Sequence, residues 1–105
     1  MIAGSFLLLL IQIGLAETRG DAKVGKGIYM KNCASCHGQK GEGLGLLSTL
    51  PNFADAKSMM GKTDKELFDK ITTGGKGTGL PAWGKLLTEQ ERWHVLAYIR
   101  ALSGP

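Results

Sequence analysis

The sequence predicts an all-α domain of three main helices separated by two glycine-rich loops. Three observations predict it. Apolar residues recur at three- and four-residue steps in stretches opening near residues 21, 63 and 88. Glycine, 16 of 105 residues, clusters between those stretches. No stretch alternates convincingly between apolar and polar, as a half-buried strand would. The length allows one domain, and 43% hydrophobic with 21% charged residues excludes wholesale disorder and collagen-like repeats.

The first element is an address. The apolar run Ile2 to Ala16 is broken only by Gly4, Ser5, Gln12 and Gly14. As a helix it would span about 22 Å, short of the roughly 30 Å membrane core. Gly14-Leu15-Ala16 places small residues at a cleavage site, and Glu17-Thr18-Arg19-Gly20 is abruptly polar. No Lys or Arg precedes the run, which leaves an uncleaved anchor as the alternative to a cleaved signal peptide. Residues 1–16 are thus a signal peptide or anchor, 17–105 the folded domain, and that domain is exported to the periplasm or an equivalent compartment.

The first helix runs from about Asp21, which can cap it, to Cys33, with Val24, Ile28 and Lys31 on one face. A loop with Gly38, Gly41, Gly43 and Gly45 closes on Pro51. The second helix opens on Thr63-Asp64-Lys65-Glu66, a capping-box spacing, and buries Leu67, Phe68 and Ile71. A second loop carries Gly74, Gly75, Gly77, Gly79 and Gly84. The third helix opens on the box Thr88-Glu89-Gln90-Glu91, buries Val95, Leu96, Ile99 and Leu102, and stops at Ser103-Gly104-Pro105. Three short helices bury little apolar surface, and chains this small usually need a staple. The 2 cysteines are too few for a disulfide framework or a four-cysteine zinc site, so a bound group must serve as core.

Cys33-Ala34-Ser35-Cys36-His37 supplies its anchorage. Cys-x-x-Cys-His is the pattern of covalent haem attachment. Two thiols three positions apart can add across the two vinyl groups of haem b, and the adjacent imidazole then lies under the iron. A thioredoxin-like pair would need a preceding strand in a βαβ unit, and a zinc site more ligands than His94, an ordinary surface or packing position, could add. Gly79-x-x-x-x-Gly84-Lys85 begins like a phosphate-binding loop, but Leu86 follows where Ser or Thr is required.

With these residues the chain resembles the class I cytochromes c over about residues 21–102. Gly25 and Tyr29 lie eight and four positions before Cys33, as in that family's first helix, Val95 and Tyr98 fall where its last helix crosses the first, and the resemblance implies that Gly25 lies under that crossing so the helices approach closely. The resemblance implies a cytochrome c-like fold around one covalent haem c. It implies that the carbonyl of Pro51, in Leu50-Pro51-Asn52-Phe53, accepts the His37 imidazole N–H. It also implies that Trp83 packs by the haem, and it assigns the iron to His37.

The sequence departs from the family at Leu80. The family has there the methionine whose sulfur is the sixth iron ligand. Leucine cannot ligate, so the potential falls, the distal site opens, or both. Met60 or Met59 could supply sulfur, Lys76 or Lys85 an amine; otherwise the position is vacant or water-filled beneath Leu80. Lys26, Lys31, Lys40, Lys76 and Lys85 fall around the family's exposed haem edge. With the net charge of +4 they either steer the domain to acidic docking faces of redox partners or only keep the surface soluble.

The expectation is therefore a monomeric monohaem c-type cytochrome that carries single electrons between extracytoplasmic partners and is not an enzyme. The rival is a haem protein whose open distal site binds a small ligand, for gas binding, sensing or weak peroxidase chemistry. A thiol-redox or zinc module requires that haem never attaches. Nucleic acid is excluded as a partner by export and the absence of a basic cluster, and membrane contact requires that the N-terminal segment be retained.

Overall fold

The structure, a computed structural model, describes residues 19–43, 50–74 and 82–104. The N-terminal run, Leu80 and Lys76 lie outside the described residues. Among the described residues there are five α-helices, one 3-10 turn and no strand. The expected helices form with the expected caps. Helix α1 is Ala22–Asn32, and its N-cap Asp21 accepts the Lys23 N–H at 2.8 Å. Helix α4 is Asp64–Thr73 and α5 is Glu89–Leu102; both open on complete capping boxes, from Thr63 with Glu66 and from Thr88 with Glu91. Two short helices were not foreseen: α2, Ala34–His37, and α3, Ala56–Met60. The 3-10 turn, Trp83–Lys85, leads into α5.

Helices α1 and α5 cross at Gly25. A Cβ there would lie 1.8 Å from the His94 carbonyl oxygen, so only glycine permits the approach. The crossing is the one the family resemblance implies: α1 buries Gly25 and Tyr29 there, whereas Val24, on the face that periodicity marks, is 48% exposed. Both faces satisfy a helical period, and the close approach at Gly25 decides between them. His94 is a packing residue, its Nδ1 accepting the Asp21 N–H at 2.8 Å and tying the start of α1 to α5.

Helix α4 lies against α5 through Phe68 and Trp93, whose rings stack at 4.0 Å and 15°. Arg100 of α5 binds Asp64 Oδ1 at 2.7 Å and donates to the carbonyls of Met59, at 2.7 Å, and Lys62. It thereby ties the α3–α4 connection to α5. The core among the described residues is small: Tyr29, Met59, Val95 and Ile99 form one buried cluster, edged by Phe53, Leu67, Ile71 and Tyr98.

Candidate functional site

The backbone turns from α1 into α2 at Cys33, whose N–H donates to Tyr29 O at 2.7 Å. One helical turn follows, with Cys36 N–H and His37 N–H both donating to Cys33 O, at 3.2 and 3.0 Å. That turn puts two free, half-buried thiols and an imidazole together at the edge of the core. Gly38, at φ +93°, ends it in a conformation that disfavours other residues. The chain returns so that Gly43 N–H reaches His37 O at 2.8 Å and Phe53 N–H reaches Gly41 O at 2.6 Å.

Two contacts that sequence reasoning did not single out hold this turn. The hydroxyl of Tyr29, fully buried, donates to Gly38 O at 2.7 Å and so secures the peptide that follows His37. Only the choice of tyrosine over phenylalanine at that position signals it. The Phe53 ring stacks on the imidazole at 4.7 Å and 22°.

Burial sets the electrostatics. It pushes the Cys33 thiol up to about 11, with Cys36 adding to the rise, so the thiol is protonated near neutrality. It lowers the His37 pKa, which favours the neutral imidazole that a metal requires. His37 Nδ1 is buried and has no hydrogen-bond partner. Pro51, whose carbonyl the family resemblance assigns to that nitrogen, lies in the loop beside it, its O 3.4 Å from where a Gly43 Cβ would be, and the ring lies on Phe53.

The distal side is reached in part. Trp83 is half-buried at the start of the 3-10 turn, and its carbonyl accepts the N–H groups of Leu86 and Leu87. Gly84 holds that turn close against Thr72 of α4. Met59 is buried at 1% exposure in the core cluster, and Met60 is 83% exposed. Lys85 is exposed on the turn.

Residues 20–99 match the family described as cytochrome c oxidase, cbb3-type, subunit III. This chain belongs to that family of c-type cytochromes. Among its relatives is the cbb3-type cytochrome c oxidase subunit FixP of Azorhizobium caulinodans, 35% identical over 83 residues that cover 79% of this chain and 28% of FixP. The chain thus spans under a third of that relative. Cytochrome c6 of Bryopsis maxima is 31% identical over 80 residues, covering 76% of this chain and 90% of its own. The solved structure of the KustC0563 c-type cytochrome superposes with a TM-score of 0.68 at 23% identity, over 74% of this chain and 95% of that one, which shows the shared fold.

A c-type cytochrome of this family holds covalent haem c with iron and transfers electrons. The residues of the turn fit that group. Two unpaired thiols one turn apart match a two-point thioether anchorage, and burial tips the half-buried imidazole toward the neutral form that a metal takes. The core among the described residues is small, and a large apolar group would complete it.

Proposed function

We propose that this cytochrome domain carries single electrons between extracytoplasmic redox proteins, with Cys33 and Cys36 holding the haem and His37 its iron. The observation that carries the reading is the single turn from Cys33 to His37, which brings both thiols and the neutral imidazole to one edge of the core. When bound, the group supplies a one-electron ferrous–ferric couple. The chain does the rest: Cys33 and Cys36 fix the group in register, Phe53 shields the imidazole face from water, and Tyr29 anchors the peptide after His37.

Export rests on the apolar run Ile2 to Ala16, followed by abrupt polarity. Among the described residues no helix is long and apolar enough to cross a membrane. The mass of the mature chain tests the leader: loss of residues 1–16 supports cleavage, and retention makes the run an anchor. The partners are acidic redox proteins, a reading supported by the charge of +4 and the exposed lysines 26, 31, 40 and 85.

A second reading, an open distal site that binds a small ligand, is favoured by the methionines. Met59 is enclosed by the core with its carbonyl held by Arg100, and Met60 points to solvent. Neither side chain is free and enclosed in the way a ligand awaiting iron would be, and Leu80 offers no lone pair. Absorption spectra of oxidised and reduced protein, with carbon monoxide added to the reduced form, separate the two. Reversible one-electron cycling with spectra unaffected by carbon monoxide supports the carrier alone. A high-spin spectrum that shifts at once with carbon monoxide supports the open site. Failure to cycle reversibly defeats the carrier reading.

A further inference from the structure

Residues 19–21 lie as a strap along α5, and each is fastened there. The Arg19 carbonyl accepts a Gln90 side-chain N–H at 2.9 Å, and the Arg19 guanidinium lies 4.8 Å from the centre of the Trp93 ring. Gly20 packs so closely that a Cβ would fall 2.1 Å from the Trp93 carbonyl oxygen. The Asp21 N–H donates to His94 Nδ1 at 2.8 Å. Gln90, Trp93 and His94 share one face of α5, at steps of three and four from Gln90.

These fastenings differ in chemistry. The guanidinium keeps its charge, the carboxamide does not titrate, and the fit of Gly20 is steric. The imidazole alone can change. To accept the Asp21 N–H, Nδ1 must offer a lone pair, so the ring is neutral with its proton on Nε2. A proton added at Nδ1 turns that acceptor into a second donor. Two N–H groups then oppose each other, and a positive ring stands at the N-terminus of α1, where the helix dipole is also positive. Asp21 is the N-cap of that helix, its carboxylate accepting the Lys23 N–H at 2.8 Å.

The charged groups around the ring do not replace the lost bond. On the strap, Arg19 opposes a positive ring and the Asp21 carboxylate attracts it. On α5, Glu91 stands one turn before His94 and interacts with its charge. Both carboxylates favour a protonated ring, but neither restores an acceptor to the Asp21 N–H. On α1, Ala22 and Gly25 approach His94 without charge, and the charge of Lys31 acts on Glu91.

We propose that His94 is a proton-operated latch: protonation of Nδ1 releases Arg19–Asp21 from α5 while α1 and α5 stay crossed at Gly25. The crossing survives because its contacts are steric and apolar, Gly25 on the His94 carbonyl and Tyr29 on Tyr98. The strap is fastened above the range in which imidazole takes up its proton and is freed as pH falls through it. Freed, these three residues add about 10 Å of extended chain between the domain and the segment before it. A domain tethered through that segment gains this reach in acid. The latch depends on neither the haem nor the electron-carrier reading.

Hydrogen exchange of the Asp21 amide reads the bond directly, in the full chain labelled with nitrogen-15. Between about pH 7.5 and 5 its protection factor is expected to fall at least about tenfold. Over the same interval the amides of Leu67 and Arg92, which donate to Thr63 O and Thr88 O, should keep theirs. The Gln90 side-chain NH2 resonances should shift with the same midpoint, since they report the other end of the strap. His94→Asn offers an acceptor that takes up no proton, and His94→Ala offers none. Both variants should show no pH step, the first with protection retained and the second with it lost. A wild-type factor unchanged by acid, or a step as large in either variant, overturns the latch. So does a Gln90 signal that stays fixed while Asp21 opens, because the strap has then not left. Joint loss at Leu67 and Arg92 also overturns it, as acid unfolding of the helices.

Discussion

Tyr29 joins packing to function through one bond. Burial holds its hydroxyl protonated, well above the ordinary phenol range, with Cys33 adding to the rise. Its donation to Gly38 O satisfies a buried carbonyl in the loop behind His37. Tyr29→Phe keeps the ring, tilted against Tyr98 at 5.2 Å, and removes only the donor. The expected loss is about 1–2 kcal/mol, the cost of an unpaired buried acceptor, read by guanidinium denaturation of the haem-loaded protein. Gly25 is less forgiving. Gly25→Ala places a methyl group 1.8 Å from a backbone oxygen that can yield only if α5 moves. Overpacking of that kind costs about 1–3 kcal/mol or more, and the same denaturation should show Gly25→Ala as the weaker of the two variants.

At the scale of elements, the long helices α4 and α5 are started by side chains rather than by propensity. Thr88 Oγ1 accepts the Glu91 N–H at 3.1 Å, and Glu91 returns the bond to the Thr88 N–H. Thr88→Ala is expected to cost about 1 kcal/mol of stability, measured as a lowered unfolding midpoint. The box also predicts a pH dependence. Hydrogen bonds from the Thr88 backbone and then its side chain hold the Glu91 carboxyl below the ordinary carboxylate range. The stabilisation is therefore complete above that range and is lost as pH falls through the lowered pKa. The difference between wild type and Thr88→Ala should shrink under acid; a constant difference would refute the assignment. The short helices have another origin. Helix α2 exists because the N–H groups of Cys36 and His37 both close on Cys33 O, and α3 is capped by Asp55, which accepts the Lys57 N–H at 3.2 Å.

For the whole molecule, the buried apolar side chains among the described residues are too few to hold three helices and two long loops. On the proposed reading the haem would be a structural member as well as the redox centre. Cys33→Ala with Cys36→Ala is expected to leave a chain with little cooperative structure, seen as weak far-ultraviolet helical dichroism and a broad thermal transition. Native-like helicity in that variant would show that the protein alone suffices. In the intact protein, colour should stay with the chain after full denaturation, because thioethers survive loss of the fold. The charge of +4 adds a prediction at the same scale: association with an acidic partner should slow steeply as ionic strength rises and the Debye length falls toward about 8 Å.

Much of this molecule is written in short local signals. Capping boxes at Thr63 and Thr88, the Asp21 cap and apolar periodicity set the three long helices, because each acts over one or two turns. Cys33, Cys36 and His37 are legible as the proposed attachment site because the chemistry itself demands that spacing. Other features needed the chain to be folded. Periodicity alone put Val24, Ile28 and Lys31 on one face of α1; the resemblance placed Gly25 under the crossing, and its contact with His94, nearly seventy positions away, is what buries Tyr29 on the other face. The same crossing left Val24, Gly27 and Ile28 to form a groove with Leu86. The partners of Tyr29 and His37, and the separation of a buried Met59 from an exposed Met60, were likewise decided by tertiary packing. The physical reason is range: a cap or a ligand spacing is satisfied within a few residues, whereas which face is buried depends on what arrives from elsewhere in the chain.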